Sequence, residues 1–125
     1  TNLVEIETEP AYQADALANQ ALAQFQLKDS ESALSTAEKA LAMRPSGATK
    51  AALLKLVGDI VFSQGDFEKA SQHYVVVVES FESTSTHADA LYMLIQSLDK
   101  LDKDSSSYQK SHSLRYPDYK APSGL

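Results

Sequence analysis

Apolar residues recur along this chain at helical spacing, in blocks separated by short polar breaks. From Leu53 to Phe62 the apolar positions are Leu53, Leu54, Leu56, Val57, Ile60, Val61 and Phe62. That spacing follows a helix whose apolar face is broad enough to be covered on two sides. The segment "SQGD" then interrupts, with Gly65 suited to a left-handed helix end and Asp66 suited to cap the next helix. A second periodic set follows at Phe67, Ala70, Tyr74, Val77 and Phe81, so the unit reads helix, tight turn, helix. Within it, "YVVVV" has high strand propensity. The helical spacing nevertheless continues on both sides, and no turn signal separates Phe67 from Phe81. The run is expected to be helical.

The same unit is legible upstream. Leu17, Ala18, Ala21, Leu22 and Phe25 form one stripe, "LKDS" breaks it, and Ala33, Leu34, Ala37, Ala40 and Leu41 form the next. Pro45 restricts the residue before it and ends that helix, while Pro10 suits the first turn of the opening one. Downstream, Thr86 and Asp89 have the spacing of a capping box ahead of a stripe at Ala88, Leu91, Leu94, Ile95, Leu98 and Leu101. After "DKDSSS" a last helix runs from Ser105 to about Tyr116 with only Tyr108 and Leu114 as apolar anchors, and reads as a polar terminal cap.

A glycine within a helix costs roughly 1 kcal/mol relative to alanine, so Gly58 needs a compensating reason. A close crossing by the following helix supplies one, because small residues let axes approach. Gly65 supplies the backbone freedom of the turn. Neither belongs to a phosphate-binding loop, since the accompanying Lys and Ser/Thr pattern is missing.

The bulk numbers narrow the function. At 125 residues and 43% hydrophobic content the chain can bury the core of one domain. A net charge of -6 argues against general nucleic-acid binding. No apolar run approaches the ~20 residues of a membrane-spanning helix. There is no cysteine, which removes disulfides and thiol chemistry and suits cytosol and periplasm equally. The chain starts at Thr1 with no leader pattern, as expected of a processed product or an excised domain. His73, His87 and His112 lie on different predicted elements and read as surface residues. No catalytic motif is present, so the expectation is a protein that is not an enzyme and needs no cofactor or metal.

These residues resemble tetratricopeptide repeats. That family places a large and a small residue one turn apart in the first helix of each unit. A small residue follows at the turn, then Ala–aromatic–Ala in the second helix, then a proline. The middle unit matches at Leu54, Val57, Gly58, Gly65, Phe67, Ala70 and Tyr74, with "GDFEKA" its most specific piece. Val77 and Glu82 stand where the second Ala and the Pro are usual. The first unit matches at Leu17, Ala21, Ala33, Ala37, Ala40 and Pro45, with Ser30 in place of the aromatic. The third aligns Tyr92, Ile95 and Gln96 with Leu54, Val57 and Gly58, and puts Tyr108 at a small position. The units are longer than the usual length of about 34 residues. That length and the "RYPDYKAP" ending are similar to the bacterial envelope subset of the family.

The resemblance implies an all-α fold, a right-handed solenoid of about three helix-turn-helix units. It would span residues 10–117, after an extended or disordered segment 1–9 and before a tail 118–125. It also implies a concave groove lined by the first helix of each unit. Carried over by register, the groove positions are Leu22, Phe25 and Gln26, then Lys55, Asp59 and Phe62, then Met93, Ser97 and Lys100. The expected function is a non-catalytic scaffold that binds a peptide or helix of a protein partner in that groove. A periplasmic or cell-envelope setting is implied, with the cytoplasm as alternative. Two other readings stay open, a self-associating module that forms a homo-oligomer and a regulatory repeat domain of a larger chain.

Overall fold

The computed structural model describes the backbone of residues 3–121 and the side chains of residues 12–121. Six helices follow one another: α1 (Leu3–Gln26), α2 (Ser30–Ala42), α3 (Gly47–Ser63), α4 (Phe67–Ser80), α5 (His87–Lys100) and α6 (Ser106–Arg115). No strand occurs among the described residues, and "YVVVV" lies inside α4. Its spacing decides the matter, because a buried stripe can be covered from one side only when it repeats with the helix. No described helix is long and apolar enough to cross a membrane.

Successive helices pack on one another along the whole chain, α4 on α5 as fully as α3 on α4. Tight turns join α1 to α2, α3 to α4 and α5 to α6 as three hairpins, and α3 and α5 also meet α1 and α3 respectively. Each hairpin turns on one left-handed residue: Lys28 (φ 67), Gly65 (φ 87) and Asp102 (φ 56), spaced 37 residues apart. The hydrogen bonds at the three turns are the same. The N–H of Asp29, Asp66 and Lys103 reaches back to the carbonyl of Gln24, Val61 and Leu98 at 2.9 Å in each case. The left-handed residue's own N–H bonds to Phe25, Phe62 and Asp99 respectively. This double closure satisfies carbonyls that a helix end would leave without partners. Asp29 and Asp66 then accept from the N–H of Ser32 (3.3 Å) and Lys69 (3.1 Å), which starts α2 and α4.

Two cores fill the layers. Ala21, Ala33, Ala37, Leu53 and Ile60 bring α1 and α2 onto α3, and Val61, Tyr74, Val77, Met93 and Leu94 bring α3 and α4 onto α5. The contact between α3 and α4 explains Gly58. A Cβ there would lie 2.6 Å from Cε1 of Tyr74, inside the ring's van der Waals envelope. The ring is fully buried, and its hydroxyl is fixed by donation to Asp59 Oδ1 at 2.5 Å.

Four expectations are corrected. α1 begins at Leu3, so residues 3–9 are helical and Pro10 lies within the helix. A proline there loses the bond to the Ile6 carbonyl and crowds it, while nothing else in Leu3–Glu9 breaks a helix. The capping box at Thr86 does not form: Thr86 has helical backbone angles and makes no side-chain cap, and the Asp89 carboxylate accepts from Tyr119 Oη at 2.6 Å. The turn spacing matches Leu54 and Gly58 to Leu91 and Ile95, one residue before the alignment read from the sequence. His87 is not a surface residue; it is 1% exposed.

His87 locks the C-terminal end. The Val78 carbonyl can only accept, so Nε2–H donates to it (3.1 Å) and Nδ1 accepts the Tyr116 hydroxyl (2.6 Å). One neutral imidazole thus ties α4, α5 and the end of α6. The tail continues the closure, with the Tyr119 ring edge-on to His112 at 4.5 Å and tilted against Tyr92 at 5.5 Å.

Two outcomes are expected. Gly58→Ala should lower stability in urea denaturation by about 1–3 kcal/mol despite alanine's helix propensity, because Tyr74 cannot swing aside. The loss should shrink in a Tyr74→Leu background, since the two positions share one space. Gly65→Ala, which meets no atom within 4 Å, should cost about 1 kcal/mol from its left-handed backbone alone. Equal costs at the two glycines would remove the contact from the account of Gly58.

The second outcome concerns pH. Burial holds His87 below the usual imidazole value of 6.5, with Arg115 and His112 adding to the effect and Glu82 and the Val78 carbonyl opposing it. Between the two values the unfolded chain binds the proton that the folded chain resists. The His87 contribution is therefore complete above pH 6.5 and is lost as pH falls toward the folded value. Melting temperature should drop from pH 7.5 to 5.5, and less so in His87→Gln. An unchanged pH response in that variant would remove His87 from the explanation.

Candidate partner-binding groove

The left-handed turns leave the ends of α1, α3 and α5 side by side, and a cleft of about 640 Å³ opens between them. Phe25 and Gln26 enter it from α1, Asp59 and Phe62 from α3, and Lys100 from α5. Phe67, at the start of α4, completes the aromatic wall and meets Phe62 edge-on with centroids 4.9 Å apart. The Lys100 ammonium stands 5.9 Å above the Phe67 ring. All three phenylalanines are half-buried and line the cleft, Phe25 packed against the first core and Phe62 against the second.

A second cleft of about 300 Å³ lies further along the same helices, between Ala18, Asn19 and Leu22 of α1, Lys55 of α3 and Asp89 of α5. Leu22 is 45% exposed there. Asp59 lines both clefts, so they meet at its carboxylate.

Seven of the nine residues expected in the groove are therefore brought to these two clefts. Met93 and Ser97 are not. They are 1% and 0% exposed, Met93 within the second core and Ser97 donating its hydroxyl to the Met93 carbonyl at 2.8 Å. The one-residue offset in the third hairpin accounts for this, because one position turns a helical face by about 100°. The residues that correspond to Lys55 and Asp59 are Tyr92 and Gln96, both half-buried. Lys28, Phe67 and Asp89 line the clefts without having been expected there. Phe67 carried a usable signal, as an aromatic directly after a tight turn; Lys28 carried none.

The floor of the groove is a closed polar set. Asp59 is 5% exposed, accepts the Tyr74 hydroxyl at Oδ1 and pairs with Lys55 Nζ at 2.7 Å through Oδ2. Burial pushes its carboxyl above the usual range, and Lys55 and the Tyr74 hydroxyl pull it back down. Burial and the adjoining carboxylate push the Tyr74 phenol well above its usual value, so it stays protonated and donates. Both oxygens of Asp59 are thus engaged within the fold. Among the described residues no group of three or more His, Asp or Glu side chains is placed to hold a metal ion.

Comparison of the chain with protein-family models, with curated proteins and with solved structures returns no match.

Proposed function

We propose that this protein is a non-catalytic interaction scaffold that receives a peptide or helix of a protein partner in the groove along α1, α3 and α5. The observation that carries the reading is the aromatic cleft. Phe25, Phe62 and Phe67 come from three different helices and are half-buried around a volume that side chains of the fold do not fill. Aromatic side chains in a concave site are where binding energy usually concentrates. The floor is already satisfied internally, so it offers shape and apolar surface more than reactive groups.

The same proposal takes the three hairpins as units of a tetratricopeptide-like right-handed solenoid, and the setting as a cell-envelope assembly. Supporting the first part are the shared turn geometry and the 37-residue spacing of Lys28, Gly65 and Asp102. The second part stands on the sequence resemblance alone.

Truncating Phe25 and Phe62 together to alanine should weaken partner capture by more than tenfold, about 1.4 kcal/mol. Both rings also touch the cores, so stability should fall by about 1–3 kcal/mol while the chain stays folded. Val76→Ala, on α4 and 41% exposed, should change neither. Full capture by the folded double variant would move the binding face away from this cleft.

A further inference from the structure

The larger cleft has a sign opposite to that of the molecule. Two ammonium groups line it, Lys28 and Lys100, and neither joins an ion pair among the described residues. Its one carboxylate, Asp59, is occupied by Lys55 and Tyr74. Gln26, Ser30 and Ser63 complete the rim and are uncharged. A chain of net charge -6 therefore presents, around an aromatic pocket, two cations without a carboxylate partner among the described residues. One of them, Lys100, lies over the Phe67 ring. Across Asp59 the smaller cleft is also lined by Asp89, whose carboxylate accepts the Tyr119 hydroxyl and has no cationic partner among the described residues. The groove is thus polarised along its length, cationic at the hairpin-turn end and anionic at the other.

We infer that the groove takes an acidic segment of a protein partner. A large apolar side chain of that segment would sit between Phe25, Phe62 and Phe67, with Asp or Glu side chains beside it reaching Lys28 and Lys100. The inference rests on the groove reading above and adds the partner's chemistry and direction to it. Charge complementarity selects the occupant. A basic segment would meet Lys28 and Lys100 with no free carboxylate to answer it, and juxtaposed like charges oppose association. A neutral apolar segment would leave both ammonium groups partly desolvated and unpaired. Lysine acts as a point charge and not as a planar fork, so it fixes the sign of the ligand more than its geometry. The acidic end of the segment lies at the turn end of the groove, and any basic residue lies toward Asp89.

The test pans a random peptide library on the whole chain, then measures individual synthetic peptides by fluorescence anisotropy. Each peptide is measured at low and at high salt against three proteins: wild type, Phe25→Ala/Phe62→Ala, and Lys28→Asn/Lys100→Gln. Asparagine tolerates the left-handed backbone of position 28, and glutamine keeps the helical preference at position 100, so the last variant should melt as wild type does. The expected result is enrichment of peptides with Asp or Glu beside an aromatic or large aliphatic residue. Their binding should weaken about tenfold on removal of the two charges and fall with added salt. Peptides that depend on Phe25 and Phe62 but are basic, uncharged or indifferent to the lysine variant would overturn the acidic inference and leave the groove reading standing. Peptides indifferent to the phenylalanine variant, or no enrichment at all, would overturn both.

Discussion

The Tyr74 side chain is the piece around which the middle of the molecule is arranged. Its ring fits against α3 only because Gly58 has no side chain, and that approach delivers the hydroxyl to Asp59. A buried phenol needs an acceptor, and a buried carboxylate needs donors; each is costly alone and tolerable together. Lys55, one helical turn before Asp59, supplies the second donor from the groove side. One contact therefore sets the spacing of α3 and α4, neutralises the floor of the groove and orients Lys55. It also explains why the floor contributes no free charge, which leaves the sign of the larger cleft to Lys28 and Lys100.

The other hairpins reach the same end with different volumes. The places of Gly58 and Tyr74 are taken 37 residues earlier by Ala21 and Ala37, both fully buried in the first core. In the third hairpin they are taken by Ile95 and Ser111. Two small residues in the first hairpin and one absent side chain with one large ring in the second both fill a helix crossing without overpacking it. Close packing constrains the sum at a contact more tightly than either member. The turns are less economical. Gly65 adopts its left-handed backbone freely, whereas Lys28 and Asp102 do so against a preference of roughly 1–2 kcal/mol. At Lys28 that conformation coincides with a place on the rim of the cleft.

Helices were legible in the sequence because a stripe at helical spacing has only one way to be covered on one side. This held even through "YVVVV", where propensity pointed elsewhere. Gly58 and Gly65 were legible because glycine within a regular element needs a cause, and the structure supplies a ring at one and a positive φ at the other. The cleft positions were legible in the first two hairpins, as at Phe25 and Phe62, and in the third the reading reached only Lys100. There the turn residue is Asp102 and the last helix is polar, so no residue pattern pinned the alignment to within one position. A slip of one residue was enough to send Met93 and Ser97 into the core. His87 escaped notice for a different reason: its partners, the Val78 carbonyl and Tyr116, come from a main-chain group and from a residue 29 positions away.

The two ends of the groove are held by different devices. At the turn end, backbone hydrogen bonds close each hairpin and hold the cationic rim, so the geometry there depends on local chain conformation. At the other end, Asp89 is held by Tyr119, which belongs to the segment after α6 and packs against Tyr92 and His112. That segment is anchored in turn by Tyr116 on His87, a buried imidazole that acidification charges at a cost to the fold. The anionic end is thus set by long-range side-chain contacts, while the cationic end is set by turns that need no distant partner. A change that loosens the C-terminal residues acts first on Asp89 and the smaller cleft, because among the described residues no hydrogen bond or ring contact of Tyr116 or Tyr119 reaches Phe25, Phe62 or Lys100. Polarity along the groove therefore rests on two separable parts of the structure, and only one of them is tied to the protonation of a histidine.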